Sequence, residues 1–399
     1  MSARSGAAVL PIILALLLPL SSSAGEAARL NVAAGATVNY IPQFDDLTAF
    51  FLTKTYDSYN VRLGWDTRPS DDNVFSAFAE LFNYPVMGFG FTMTNFDRVL
   101  WGDSHLDNHY ALYGFFERPW VRTERHTFGY TFQLGAAYTP GKYDPYLNPG
   151  NEFGGSHFLV NVGAGLMYRY HITPKWEIGA EASFLHFSNG KTRMPNGAIN
   201  QLCLGVEARY HLDESYSGKQ KPRFDGPLFE KGLRWDIGVI GGVKQLEGEW
   251  QAYNVIQKVE DKRTEFTTVA KIGLSVGALY RYSAKFGTGL QADILYTSNS
   301  KAIATYDTMV HGETSKASPV SVGLAAVQEM YYNRFATYFA VGAYLYQKGG
   351  ICEDLSHLYQ KIGFRYYFPS LGGTYLGWFV KSFQFCKADY LEFTLGVRI

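Results

Sequence analysis

Residues 185–200 read LHFSNGKTRMPNGAIN, and three side chains in this stretch have the types and spacing for acyl-transfer chemistry: His186, Ser188 and Asn200. A serine hydroxyl is a poor nucleophile until a base removes its proton. A histidine two residues away on the same strand face reaches that proton. The histidine in turn needs a third group to fix its tautomer and stabilise its charge, and the amide oxygen of Asn200 can serve. Asn189, or backbone N–H groups near Gly190, can stabilise an oxyanion. Lys191 and Arg193 add positive charge in the same loop, suited to the phosphate of a lipid headgroup.

The elements that must position these residues are β-strands, and their parity decides which way each side chain points. Trp176, Ile178, Ala180, Ala182 and Phe184 form one stripe, which His186 and Ser188 continue. The opposite stripe carries Glu177 and Glu181. On the following strand Leu202, Leu204, Val206, Ala208 and Tyr210 form the apolar stripe, and Asn200 extends it backwards. Gln201, Cys203, Glu207 and Arg209 lie on the other side. Three polar residues therefore converge on the apolar face of one hairpin mouth. Polar groups facing hydrocarbon are costly unless they have partners or a task. Glu181 and Glu207 point the other way, so Asn200 rather than a carboxylate is the expected third member.

The same alternation runs through the chain in segments about as long as tilted barrel strands, roughly 9–11 residues or more. Examples are RLNVAAGATVNYIP, FGYTFQLGAAYTP and HFLVNVGAGLMYRYH, punctuated by Gly, Pro, Asn and Asp. About sixteen such segments are legible. In the last, Tyr390, Glu392, Thr394, Gly396 and Arg398 alternate with Leu391, Phe393, Leu395, Val397 and Ile399, a polar face against an apolar one. The expected fold is all-β, an antiparallel transmembrane β-barrel. A soluble β-sandwich also alternates, but its strands are shorter. The polar segment 211–232, HLDESYSGKQKPRFDGPLFEKG, divides the chain into about eight strands before and about eight after. The two halves form either two barrels or one of about sixteen strands. Residues 276–300 also align with the site hairpin, Tyr296 falling at His186 and Ser298 and Asn299 at Ser188 and Asn189. That is either a decayed duplication or the sameness of β-hairpins.

At the N-terminus Arg4, the apolar run Ala7 to Leu20, and small residues at Ser22 and Ala24 predict a secretory signal cleaved near Ala24, with Ala27 or Ala28 as alternatives. The run is too short and too proline-interrupted for a membrane anchor. The domain plan is a signal over 1–24, a catalytic barrel over 25–212, a linker over 213–231 and a second barrel-like half over 232–399. With 36 basic and 36 acidic residues the chain lacks the basic footprint of a nucleic-acid binder. Three cysteines, Cys203, Cys352 and Cys386, form neither a disulfide framework nor a zinc motif.

The pattern HFSNG…PNGAIN resembles the active-site hairpin of the lipid A deacylase (PagL, acyloxyacyl hydrolase) family. The resemblance is best in the first half of the mature chain, where YALYGFFERP and GAGLMYRYHI are also family-like. It implies an outer-membrane β-barrel whose exterior serine esterase site removes an acyl chain from lipid A. His186 and Ser188 fall on the family's base and nucleophile, Asn189 on its proposed oxyanion residue, and Asn196 on a further family asparagine expected at the substrate. One departure is Asn200, where the best-known members carry glutamate. Another is the final Ile399, where such barrels usually end in Phe. The spacing is also similar to outer-membrane phospholipase A, a calcium-dependent dimer, but the Trp expected there before the final asparagine is missing. No cofactor is expected, calcium entering only for a phospholipase A-type enzyme. The expected partners are lipid A/lipopolysaccharide or phospholipid in the outer membrane, with oligomeric state open. Both termini of such barrels are periplasmic, so the seventh strand runs outward and places the loop after Ser188 at the outer surface. A non-catalytic pore or binding barrel is the reading from another class.

Overall fold

The structure is a computed structural model and describes residues 29–42, 55–67, 74–96, 98–99, 104–212, 228–256, 261–353, 356–384 and 387–399. The predicted signal, most of the predicted linker and Cys386 lie outside the described residues. Contacts divide the chain into two units, one comprising 1–189 with 197–226 and the other 190–196 with 227–399.

In the first unit eight antiparallel strands close into a barrel: β1 (Arg29–Tyr40), β2 (Thr55–Asp66), β3 (Val86–Thr94), β6 (His109–Arg122), β7 (His126–Tyr138), β8 (Phe158–His171), β9 (Trp176–Ser188) and β10 (Ile199–His211). Closure is made by β1, which pairs with β2 on one side and β10 on the other. Two short strands, β4 (Arg98–Val99) and β5 (His105–Leu106), pair separately. The second unit is another closed eight-stranded barrel: β11 (Gly232–Gln245), β12 (Thr268–Arg281), β13 (Phe286–Thr297), β14 (Val320–Tyr332), β15 (Phe335–Tyr346), β16 (Leu358–Phe368), β17 (Thr374–Phe383) and β18 (Lys387–Arg398). Here β11 pairs with both β12 and β18. The alternative of one large barrel is thereby excluded. A closed sheet leaves no edge, which is what a β-protein in hydrocarbon requires.

Both barrels turn their apolar side chains outward. Leu204 and Val206 on β10 are 69% and 66% exposed, whereas Gln201, Cys203 and Arg209 on the same strand are buried inside. On β18 the exposed Phe393 and Leu395 alternate with buried Tyr390, Glu392 and Thr394. An exterior of this kind is suited to lipid rather than water. Short turns such as 123–125 and 172–175 join strands at one end of the first barrel, and the longer connections 139–157 and 189–198 lie at the other.

The lumen of the first barrel is filled by ion pairs. Glu117 accepts two parallel bonds from Arg209, each 2.8 Å, and another at 2.8 Å from Arg169, while Arg62 lies 3.3 Å away and reaches Glu181 at 2.9 Å. Glu207 meets Arg209 at 3.0 Å. The second lumen has its own set: Arg365 and Arg398 share Asp236 and Glu329, and Lys244 and Lys271 share Asp389. Tyr338, Tyr359, Tyr375 and Tyr390 fill the space between these charges.

The likeness between 276–300 and the site hairpin belongs to hairpins in general. It sets β8–β9, the sixth and seventh barrel strands of their unit, against β12–β13, the second and third of theirs. A duplication kept in order would set β17 against β9. After Asn299 the chain enters the helix Ser300–His311 instead of a second strand.

Replacing Glu117 with Gln removes one of the two carboxylates that Arg169 and Arg209 share, the other being Glu207. Removing one partner from a buried charge network costs about 3–5 kcal/mol. The expected outcome is a lower urea midpoint for loss of the compact electrophoretic form of the barrel. An unchanged midpoint would show that the network is not stabilising.

Candidate active site

β9 and β10 pair so that His186 stands directly opposite Asn200. Their side chains meet, with His186 Nδ1 2.7 Å from Asn200 Oδ1. A carboxamide oxygen only accepts, so Nδ1 carries the proton and Nε2 is left with its lone pair, the form a general base requires. Ser188 lies two residues further on the same face and ends β9, opposite Val160 of β8. Ser188 and Asn189 are buried, 4% and 2% exposed, while His186 and Asn200 are half-buried. The arrangement can deprotonate a hydroxyl and hold the resulting imidazolium by a neutral acceptor.

The two nearest strand carboxylates are engaged inside the barrel. Glu181 is bound to Arg62 and Glu207 to Arg209. Both lie on the opposite face to His186, as parity requires, so neither can take the place of Asn200.

The connection 139–157 supports the start of β10, a role for which the sequence reading had no candidate. Gly197 N–H donates to Glu152 O at 3.0 Å, and Ala198 N–H to Phe153 O at 3.2 Å. These bonds fix the backbone one turn of the pleat ahead of Asn200. The connection is itself pinned by Asn148, whose side chain accepts from His105 N–H at 3.0 Å and donates to His105 O and Lys142 O. Partial burial pushes the Glu152 carboxyl pKa up. The only sequence signal for this support is turn composition in LNPGNEFGG, which does not distinguish a brace from an ordinary loop.

The residues expected at the substrate, Lys191, Arg193 and Asn196, fall in the segment 190–196, which groups with the second unit. There Lys191 Nζ lies 2.6 Å from Glu247 Oε2, and Arg193 pairs with Glu265. Asn196 is half-buried at the end of the segment. Gly190 has φ +63°, a conformation that favours glycine. Among the described residues no cluster of His, Cys, Asp and Glu could hold a metal ion. Cys203 and Cys352 are free thiols.

Removing the Asn200 carboxamide tests its part in this geometry. Asn200→Ala is expected to lower kcat on a chromogenic fatty-acyl ester by about 10- to 100-fold, KM being little changed. Asn200→Glu is expected to hold or raise kcat, because an anion stabilises imidazolium better than an amide does. Unchanged kcat in Asn200→Ala would remove Asn200 from the site.

Two family models match the sequence. Residues 59–209 match "Lipid A 3-O-deacylase (PagL)" and residues 233–399 match "Acyloxyacyl hydrolase, C-terminal domain". No curated protein matches. Among solved structures the chain is similar to the outer membrane enzyme PagL, at 15% identity over 45% of this chain and 98% of that one, with a TM-score of 0.28. It is similar to Neisserial surface protein A at 13% identity over 45% and 96%, with a TM-score of 0.26.

Proposed function

We infer the function of this chain from the match of its first barrel to the lipid A 3-O-deacylase (PagL) family and of its second to the acyloxyacyl hydrolase C-terminal domain. It is an ester hydrolase of the acyloxyacyl hydrolase type. We propose that it works as a serine esterase on an ester-linked acyl chain of lipid A, in the outer membrane, after export on a cleaved leader. The observation that carries this reading is the His186–Asn200 hydrogen bond on the lipid-facing side of the barrel, on the stripe that ends at Ser188.

In this mechanism His186 Nε2 takes the proton of Ser188 Oγ as the oxygen attacks the ester carbonyl. The tetrahedral oxyanion is held by Asn189 or by backbone N–H groups near Gly190. As the intermediate collapses, His186 returns the proton to the departing alkoxide, leaving the deacylated lipid as an alcohol and the acyl group on Ser188. Water, deprotonated by the same imidazole, then releases the fatty acid and restores the serine. A site on the barrel wall suits a substrate whose acyl chains already lie in the membrane beside it. Asn196 and Arg193 are proposed to meet the lipid's polar part. The Arg193 side chain is 35% exposed beside Glu265.

Mass spectrometry of membrane lipids from cells making wild type or Ser188→Ala decides the reading. Loss of one acyl chain from lipid A with wild type, and none with Ser188→Ala, is the expected result. Lysophospholipid that appears instead and needs calcium would assign the chain a phospholipase A activity. Identical lipids in both strains would leave a barrel without this chemistry.

A further inference from the structure

We propose that the second unit has a catalytic purpose: Gln245 and Glu247 are positioning residues for 190–196, the segment that directly follows Ser188 and Asn189. The inference rests on the serine esterase reading above.

Four observations carry it. First, the segment 190–196 groups by its contacts with the second unit rather than with the strands it connects. Second, Gln245, the last residue of β11, grips the segment at two backbone points. Its N–H donates to Lys191 O at 2.8 Å, and its side-chain oxygen accepts from Met194 N–H at 2.8 Å. Its remaining amide group donates to Phe266 O at 3.0 Å, so this 1%-exposed side chain is held at both ends. Third, Glu247 binds Lys191, and its own N–H donates to Glu353 Oε1 at 3.1 Å. Glu353 in turn pairs with the buried Lys244, which ties the loop to the charge network of the second lumen. Fourth, Gly190 passes close to β18, where a Cβ added at residue 190 would lie 2.5 Å from Leu391 Cγ.

These contacts are not equal. Bonds from a buried amide to two backbone groups define a position, whereas the exposed Arg193–Glu265 pair adds little. Lys191–Glu247 is partly buried and lies between these extremes. The held segment begins at Gly190, whose backbone is a candidate oxyanion donor, and ends at Asn196. A displacement of about 1 Å at such a point lowers turnover on the order of 100-fold. Lys191 is thereby assigned to holding the loop rather than to lipid phosphate.

The test compares full-length variants for kcat and KM on lipid A, with Ser188→Ala as the reference and the compact electrophoretic form as the check on folding. Gln245→Leu keeps the side-chain volume and cannot accept from Met194. It is expected to lower kcat about 10- to 100-fold with KM within twofold. Lys191→Glu and Glu247→Lys are each expected to lower kcat, and the double exchange to recover most of it. Normal kcat in Gln245→Leu, or a double exchange no better than Lys191→Glu alone, overturns the proposal. Full activity in Ser188→Ala overturns instead the esterase reading on which it stands.

Discussion

The hydrogen bond from His186 Nδ1 to Asn200 Oδ1 joins two strands on the face that meets hydrocarbon, and the chemistry assigned to this barrel depends on it. An unsatisfied amide or imidazole there costs several kcal/mol, so each group gives the other a reason to remain. The same bond selects the tautomer that leaves Nε2 free to act as a base. It exists because the register of β9 against β10 sets the two residues face to face. Register in turn rests on alternation, since a slip of one residue would carry His186 into the lumen.

Alternation also divides the work of charge. Inside each barrel, acids and bases neutralise one another in filled lumens. Outside, near the proposed site, charge is avoided: the outward-facing neighbours of His186 and Asn200 on β9 and β10 are aliphatic or aromatic, and the partner of His186 is a neutral amide. A carboxylate on the lipid face would stabilise imidazolium better but would cost more to hold there. In the proposed mechanism Asn200 gives up some transition-state stabilisation for a lower desolvation cost. The connection 139–157 holds the backbone just ahead of Asn200 through the main-chain carbonyls of Glu152 and Phe153, where no side-chain chemistry is required.

Much of this was legible in the sequence because it is local. Period-two alternation showed the strands, put Trp176 to Ser188 and Asn200 to Tyr210 on single faces, and turned Glu181 and Glu207 inward. What escaped is long-range. Nothing in the local pattern says whether β10 closes on β1, so one barrel and two read alike. Lys191 and Arg193 were legible as cations, but not their partners Glu247 and Glu265, which lie 56 and 72 residues away. Glu152 and Phe153 act through their backbone carbonyls, which carry no signature of residue type at all. The aligned segment 276–300 shows the opposite failure, a local likeness without a shared place in the barrel.

The central claim is that Ser188, on the outer wall of the barrel, is a nucleophile made reactive by His186. Peptide mass spectrometry after treatment of the folded full-length protein with a fluorophosphonate reads this most directly. The account predicts one adduct, on the peptide containing Ser188, and its loss in His186→Ala. An unlabelled Ser188, or equal labelling when His186 is replaced, would contradict it.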